Sequence, residues 1–479
     1  MEVNVGFDLN NEQRSDGWKT CITLLEEFYA NTGVLPVSTE TDRQALKSEL
    51  VSGFDETFDL GDALNHVVSG LTKHAVHTPH PGYFGLFNPR PNFPSILADA
   101  ITAGLNPQLA AWSHAPFASE VESLLIREFG KKFGYDSEEM DGVFTSGGAE
   151  ANLTALLAAI NFKYPKFAED GVHALPRKVR IYCSAESHHT IVKSARICGL
   201  GSSSVGYIDV DHKQQMIPAA LEQQIAKDKV DGYEPLMIVA TTGTTGSGAI
   251  DPIHALAKIA ARHNCWIHAD AAYGGAVVIT EKFKHLLTGI ENADSITFDA
   301  HKWLSVPMAT SMFLTKHKHI LGQAFRIRTD YMPSDDNEIQ DLGSFGHSIQ
   351  WSRRFIGLKL YLPLLVFGWR GYEQTILHQV NLGKMLKEKL IQNDWTVDNE
   401  TDLPVLCFSD EGSERDPDFA TKVAAKIVKS GKAWVSTYPT GNRMTIRACI
   451  TNYSTSANEL NTLLEALNSA RAEARIKTK

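Results

Sequence analysis

The sequence predicts an α/β protein, with a mostly parallel sheet covered by helices on both faces and a smaller α+β unit after it. Two observations carry that expectation. Short apolar, β-rich runs recur through the middle of the chain, and helical stretches separate several of them. Parallel strands need crossover helices, which cover both faces of the sheet and make the strands apolar almost throughout. After LYLPLLVFGWRGYEQ the rhythm changes to isolated strands followed by a closing helix.

In chain order, residues 1–80 read as an N-terminal helical segment, with amphipathic stretches such as WKTCITLLEEFYA and LGDALNHVVSGLTKH. They are too sparse in apolar residues to make a core of their own. Residues 81–375 read as the large unit. Its strands are expected at 179–185, 204–210, 236–242, 265–270, 295–300 and 311–315, with helices at 219–229 and 253–263. The run LYLPLLVFGW (360–369) is half a membrane span and contains Pro363, so a buried helix is expected. Residues 376–479 read as the small unit, with strands LPVLCFS (403–409) and RMTIRACITN (443–452). Ser456 and Glu459 have capping-box spacing and open a last helix with Leu460, Leu463, Leu464 and Leu467 on one face.

Composition bounds the function. The chain has 479 residues, 43% hydrophobic and 21% charged, with a formal charge of −10. That is ordinary globular composition. Its acidic balance opposes a nucleic-acid partner, which selects a basic face. The six cysteines include no C-x-x-C pair, which fits buried, reduced thiols. The start is polar and has no apolar signal core, so a cytoplasmic enzyme is expected, without membrane attachment.

Ligands of open parallel sheets bind at the carboxyl ends of strands. Four such ends carry unusual residues. In TSGGAEANLTALLAAI (145–160), Leu153, Leu156, Leu157 and Ile160 mark a helix face, and Ser146, Gly147 and Gly148 lie at its start. A phosphate can approach the free N–H groups there, although a plain glycine turn has the same look. CWIHADAAYGG ends a buried strand in Asp270, followed by Ala272. A buried carboxylate needs a cationic partner, either a pyridinium nitrogen or an internal ion pair or cap. SITFDAHKWLS places Lys302 at an apolar strand end, where Schiff-base chemistry or a snorkelling amine are the alternatives. His188, in SAESHHTIVKSA, follows another strand end and is either a ring stack for a planar cofactor or a structural histidine. TTGTTGSG (241–248) adds a hydroxyl-rich turn. Together these match the parts needed by pyridoxal phosphate: phosphate anchor, pyridinium partner, ring stack and Schiff base. No P-loop and no Rossmann glycine fingerprint occur. His74, His77 and His80 recur every three residues, but the HPGY turn breaks helical spacing and no metal is expected.

The motifs HPGYFGLFNP, AWSHAPFASEVE, TSGGAEANL, SHHTIVKSA, GTTGSGAIDPI, HADAAYGG, DAHKWL and SRRFIGLKLY follow one another from about 75 to 450. In that order the chain resembles the group II pyridoxal-phosphate-dependent amino-acid decarboxylases of aminotransferase fold type I. These include the aromatic L-amino-acid, glutamate and cysteine-sulfinate decarboxylases. The resemblance implies a Lys302 Schiff base, His188 stacked on the pyridine ring, Asp270 on the ring nitrogen and Ala272 against the other face. It implies phosphate binding around Gly147, Gly148 and Ala149, helped by Thr245, Asp299 and His301. Tyr331, in an acidic, glycine-containing stretch (328–351), takes the place of a loop tyrosine that protonates the quinonoid carbon.

Phe87, Asn88, Trp112 and Arg447 are the substrate-side candidates, with Phe84 and Arg90 nearby in sequence. Arg447 stands where the glutamate enzymes hold a substrate carboxylate, or else in a surface ion pair. The implied reaction turns an L-amino acid into its amine and carbon dioxide. Retention of Tyr331 and His188 favours this over aldehyde formation, and transamination is the other fold type I alternative. A homodimer with sites near the interface is also implied. A cofactor-binding regulator would need an added interaction domain and a basic face, which the sequence lacks.

Overall fold

In the computed structural model, residues 7–51, 54–55, 57–327, 343–414 and 416–476 are described. The strands of the large unit are β1 (Asp141–Thr145), β2 (Val179–Ser184), β3 (Val205–Ile208), β4 (Glu234–Thr241), β5 (Trp266–Asp270), β6 (Ser295–Asp299) and β7 (Ser311–Thr315). Among the described residues they form one sheet in the order β1-β7-β6-β5-β4-β2-β3. From β6 to β3 the neighbours run parallel, while β7 is antiparallel to both β6 and β1. β1 therefore points the same way as β6, and its carboxyl end joins those of the parallel strands.

The side chains explain why these segments are strands. Along β4, Ile238 and Ala240 enter one hydrophobic core, and Met237 and Val239 enter the core on the other face. β2 divides likewise, with Tyr182 on one side and Ile181 and Cys183 on the other. Successive residues alternate faces, and both faces are covered. β1 carries no such run in the sequence. Its first two residues are half-buried, and pairing with β7 makes the segment a strand.

A second, antiparallel sheet of β8 (Thr396–Val397), β9 (Val405–Ser409), β10 (Ser436–Thr440) and β11 (Arg443–Cys449) has the order β10-β11-β9-β8. The helices Phe419–Lys429 and Ala457–Ile476 cover it. Ser456 and Glu459 form the expected start of the last helix, with Leu460, Leu463 and Leu467 fully buried and Leu464 half-buried. The helix Leu358–Gln392 joins the two cores. Leu360, Ile376 and Val380 enter the larger one, and Leu382, Leu386 and Leu390 the smaller.

Three expectations are corrected. The run 360–369 is not buried throughout: Leu365, Val366 and Phe367 are exposed, because the helix is broken at Gly368 (φ 59°) and turns that face outward. Phe84 does not face a substrate; it is fully buried in the core of the smaller sheet. Of the six free cysteines four are buried, whereas Cys21 and Cys198 are half-buried.

The helices Asn11–Asn31 and Leu60–Lys73 bury no residue completely and expose Trp18, Ile22, Leu25, Val67 and Leu71. Two of the sequence motifs meet at Glu122. Its carboxylate pairs with the Arg353 guanidinium and accepts the backbone N–H groups of Ile356 and Gly357, which fixes the entry to the long helix. Among the described residues no helix is long and apolar enough to cross a membrane.

Candidate active site

Five strand ends converge. The helix Gly148–Lys163 starts two residues after β1, with Gly147 as its N-cap and, among the described residues, no side-chain cap on its first turn. Those N–H groups lack intrahelical partners, and the helix dipole makes the spot suitable for an anion. A Cβ on Gly148 would lie 2.8 Å from Asp299 Oδ2, so only glycine fits between the cradle and the end of β6. Ser146 is committed elsewhere: its N–H and O–H both bind Glu150.

Asp299 ends β6 and pairs with Lys302 one turn later, at 3.0 Å. His301 Nε2 lies 3.9 Å from the same carboxylate, and burial pushes the His301 pKa below its ordinary value. The turn after Lys302 is pinned from a distance. Ser305 takes φ 54°, unusual for a non-glycine residue, and its carbonyl accepts both the backbone and side-chain N–H of Asn92.

Asp270, at the end of β5, is 6% exposed. Its Oδ1 accepts the Ala272 N–H and its Oδ2 accepts from Asn152. Among the described residues it joins no ion pair, which leaves a buried carboxylate without a cation. His188 follows β2 and is exposed as a whole residue. Partial burial lowers its pKa, and Asp270 opposes that shift. Beneath Asp270, His268 is buried and its pKa is depressed to about 4 by desolvation, so it is neutral.

The TTGTTGSG turn follows β4. Gly243 takes φ 90°, and a Cβ there would meet the Gly274 backbone at 3.0 Å. A Cβ on Gly246 would overlap the Tyr438 ring. Thr245 is half-buried in this turn. The smaller sheet holds the turn: Arg447 Nε donates to the Gly246 carbonyl, Asn399 to that of Ser247 and Thr401 to that of Gly248.

The opposite wall is an aromatic column. Phe87 stacks on Tyr273 with centroids 3.8 Å apart, and Tyr273 stacks on Trp303 at 4.8 Å. Arg447 Cζ lies 5.0 Å and Lys302 Nζ 5.8 Å from the centre of the Phe87 ring. Arg447 is 2% exposed, so the surface ion pair open in the sequence does not form. Its Nη1 donates to the Gly85 carbonyl, and Nη2 has no hydrogen-bond partner among the described residues.

The remaining candidates are held separately. Asn88 accepts from the Tyr83 hydroxyl, and the Trp112 indole donates to Glu120. Arg90 lies over the Tyr29 ring. Tyr331 falls outside the described residues. His77 is occupied by two backbone carbonyls and His74 by Glu49. Sequence reasoning missed Asn152, Thr190, His268, Tyr273 and Asn92. The signal for Asn152 was an amide side chain between Ala151 and Leu153, on the apolar stretch just after the helix start.

The residues present fit pyridoxal phosphate. An open helix N-terminus suits a phosphate, the uncompensated Asp270 suits a pyridinium, and the half-buried Lys302 amine, paired with Asp299, stands one strand away. The comparisons agree. The profile of the pyridoxal-dependent decarboxylase conserved domain matches residues 55–410. An aromatic-L-amino-acid decarboxylase of Bacillus atrophaeus is 29% identical over 458 residues, 94% of this chain and 93% of that protein. The crystal structure of mouse CSAD superposes with a TM-score of 0.90 at 26% identity, covering 96% of this chain and 99% of that one. In fold alone, Oryza sativa TDC with PLP and tryptamine matches with a TM-score of 0.91 at 23% identity, over 97% and 99% of the two chains.

Proposed function

The chain belongs to the pyridoxal-dependent decarboxylase family, and on that premise we propose that it removes the α-carboxylate of an L-amino acid to release carbon dioxide and the amine. The observation that carries the reading is Asp270, a buried carboxylate with no cationic partner among the described residues, one strand from Lys302. Bound pyridoxal phosphate supplies an electron-withdrawing ring that takes up the electrons of the breaking bond.

The side chains do the rest. Lys302 would hold the cofactor covalently through its ε-amine, and its pairing with Asp299 keeps the amine at the cleft. Asp270 holds a proton at the ring nitrogen, because a carboxylate beside a pyridinium favours the charged ring. His188 and Ala272 would flank the ring, and the first-turn N–H groups at Gly147, Gly148 and Ala149 would hold the phosphate, with Thr245, Asp299 and His301 assigned around them. Phe87, Asn88, Trp112 and Arg447 are assigned to the substrate side. The unpaired Nη2 of Arg447 supports an anionic group on the substrate near Phe87. Tyr331 is assigned proton delivery to Cα.

The chain is read as units 1–80, 81–375 and 376–479, a division supported by strands β1–β7 lying in the second and β8–β11 in the third. It is also read as a homodimer, supported by the exposed apolar residues of the two N-terminal helices.

The test is a product screen over L-amino acids with the reconstituted enzyme. Carbon dioxide and amine in equal amounts are expected. Keto acid formed only with an amino acceptor would make the enzyme a transaminase; aldehyde with peroxide would make it an oxidative deaminase. Tyr331→Phe is expected to divert product from amine to aldehyde, and unchanged amine output would remove Tyr331 from the mechanism.

A further inference from the structure

Asn152 lies in the second turn of the helix Gly148–Lys163, is 2% exposed and uses its whole amide. Nδ2 donates to Asp270 Oδ2 at 3.0 Å and to Thr190 Oγ1 at 2.9 Å. Oδ1 accepts from Thr297 Oγ1 at 2.7 Å and from His268 Nε2 at 3.1 Å. An ionised Asp270 only accepts, so the amide nitrogen must face it and the orientation is settled by chemistry.

Every proton in the surrounding chain then has one place. The Trp266 indole only donates, and it donates to Ser295 Oγ at 2.8 Å. The Ser295 hydroxyl proton is left for His268 Nδ1, also at 2.8 Å. Asn152 Oδ1 only accepts, so His268, neutral by burial, carries its proton on Nε2. That nitrogen faces Asn152 Oδ1 at 3.1 Å and Thr297 Oγ1 at 3.3 Å, and Nδ1 accepts from Ser295. On the far side, Thr190 Oγ1 accepts from Asn152, which leaves its own proton for His188 Nδ1 at 3.0 Å. The Thr190 backbone N–H, which can only donate, also faces His188 Nδ1 at 3.3 Å. His188 Nδ1 is an acceptor and its proton sits on Nε2. All donors run in one direction, from Trp266 toward Asp270 and His188, so their dipoles reinforce one another.

We propose that Asn152 is the positioning residue of this site: one amide holds Asp270 and, through Thr190, fixes His188 as the Nε2–H tautomer. The proposal rests on the reading that Asp270 and His188 face the cofactor. Asn152 is 2% exposed and would act through the two groups assigned to the cofactor. Loss of the Asn152 donor leaves Asp270 Oδ2 with one bond fewer and frees Thr190 to turn, so the acid and the histidine lose their register together.

The experiment uses the full chain with Asn152→Asp, Thr190→Val and Thr190→Ser. Asn152→Asp keeps the volume but sets a carboxylate against Asp270. Pyridoxal phosphate titrated into the apoprotein is expected to bind about tenfold to a hundredfold more weakly, the loss typical of a hydrogen bond to a charged group. In the holoenzyme kcat should fall by a similar factor while KM for the amino acid stays within about threefold, because the defect lies at the cofactor.

Thr190→Val should move the ¹⁵N signal of His188 Nδ1 in histidine-labelled protein, and Thr190→Ser should restore it. That readout survives if the Asn152 variant does not fold. Asp270→Asn and His188→Gln separate the two levels. If neither control alters cofactor binding or absorbance, the reading of the site fails. If both controls do, yet Asn152→Asp binds cofactor like wild type or Thr190→Val leaves the Nδ1 signal unmoved, this inference alone is overturned.

Discussion

The two sides of the cleft are built in different ways. The side proposed to hold the cofactor is made of strand ends and the first turns after them: Gly147 after β1, His188 after β2, Thr245 after β4, Asp270 at β5 and Lys302 after β6. Each residue sits within a few positions of the strand that places it, and a hydrogen-bonded floor of Asn152, His268, Thr297 and Ser295 lies beneath. The side proposed for the substrate is assembled from segments far apart in the chain. Arg447 bonds carbonyls 201 and 362 residues away, and Phe87 stacks on Tyr273. A strand end in a parallel sheet has its direction set locally, so the cofactor side is stiff by construction. The substrate side depends on how the small sheet docks and is the more adjustable half.

Variants on the two sides should therefore fail differently. Lys302→Ala should abolish the absorbance of the lysine-bound cofactor and lower activity roughly 10³-fold or more, as for loss of a covalent catalyst. Persistence of that absorbance would sink the assignment of the cofactor side. Asp270→Ala should cost roughly 10²–10³ in kcat, the range for a lost electrostatic stabiliser. A kcat close to wild type in stopped-flow assays would mean that Asp270 is only a cap.

Arg447→Met should raise KM about tenfold to a hundredfold while leaving cofactor absorbance intact, since it removes the charged donor beside Phe87 while Asn399 and Thr401 still hold the turn that carries Thr245. It also leaves the Gly246 and Gly85 carbonyls without that donor, which costs about 1–3 kcal/mol in denaturant unfolding. Loss of cofactor from this variant would show that the two sides are not separable.

The smallest expected effect concerns pH. The His268 pKa is held near 4 in the folded protein, below the 6.5 of a free histidine. Stability from this group is full above pH 6.5 and is lost as pH falls toward 4, because the unfolded chain takes up the proton first. His268→Gln should flatten the urea-unfolding profile across that window, by at most about 3 kcal/mol. An unchanged slope would mean that His268 is charged in the fold and that the floor is wired differently.

The cluster of strand-end residues was legible in the sequence because its signals are local. Asp270, Lys302 and His188 stand out as polar residues where apolar strands stop, and Gly147 and Gly148 mark a helix start. The floor was not legible. Asn152 in EANL and His268 in WIHAD are polar letters with no motif around them to mark a role, and their partners lie 118, 145 and 27 residues away. Phe84 and Phe87 look equivalent in GYFGLF. One enters the core of the smaller sheet and the other stacks on Tyr273, a choice made by the packing of the two sheets.

By itself the sequence determined the alternation of apolar strands and helices, and with it the ring of strand ends that can hold a cofactor. Periodicity and the cost of burying charge act residue by residue, so they can be read in order. Only the tertiary structure decided the direction of the hydrogen-bond chain under Asp270, the burial of Arg447 and the outward turn of residues 365–367. Those depend on which segments meet, and contacts between distant segments leave no periodic trace in the chain.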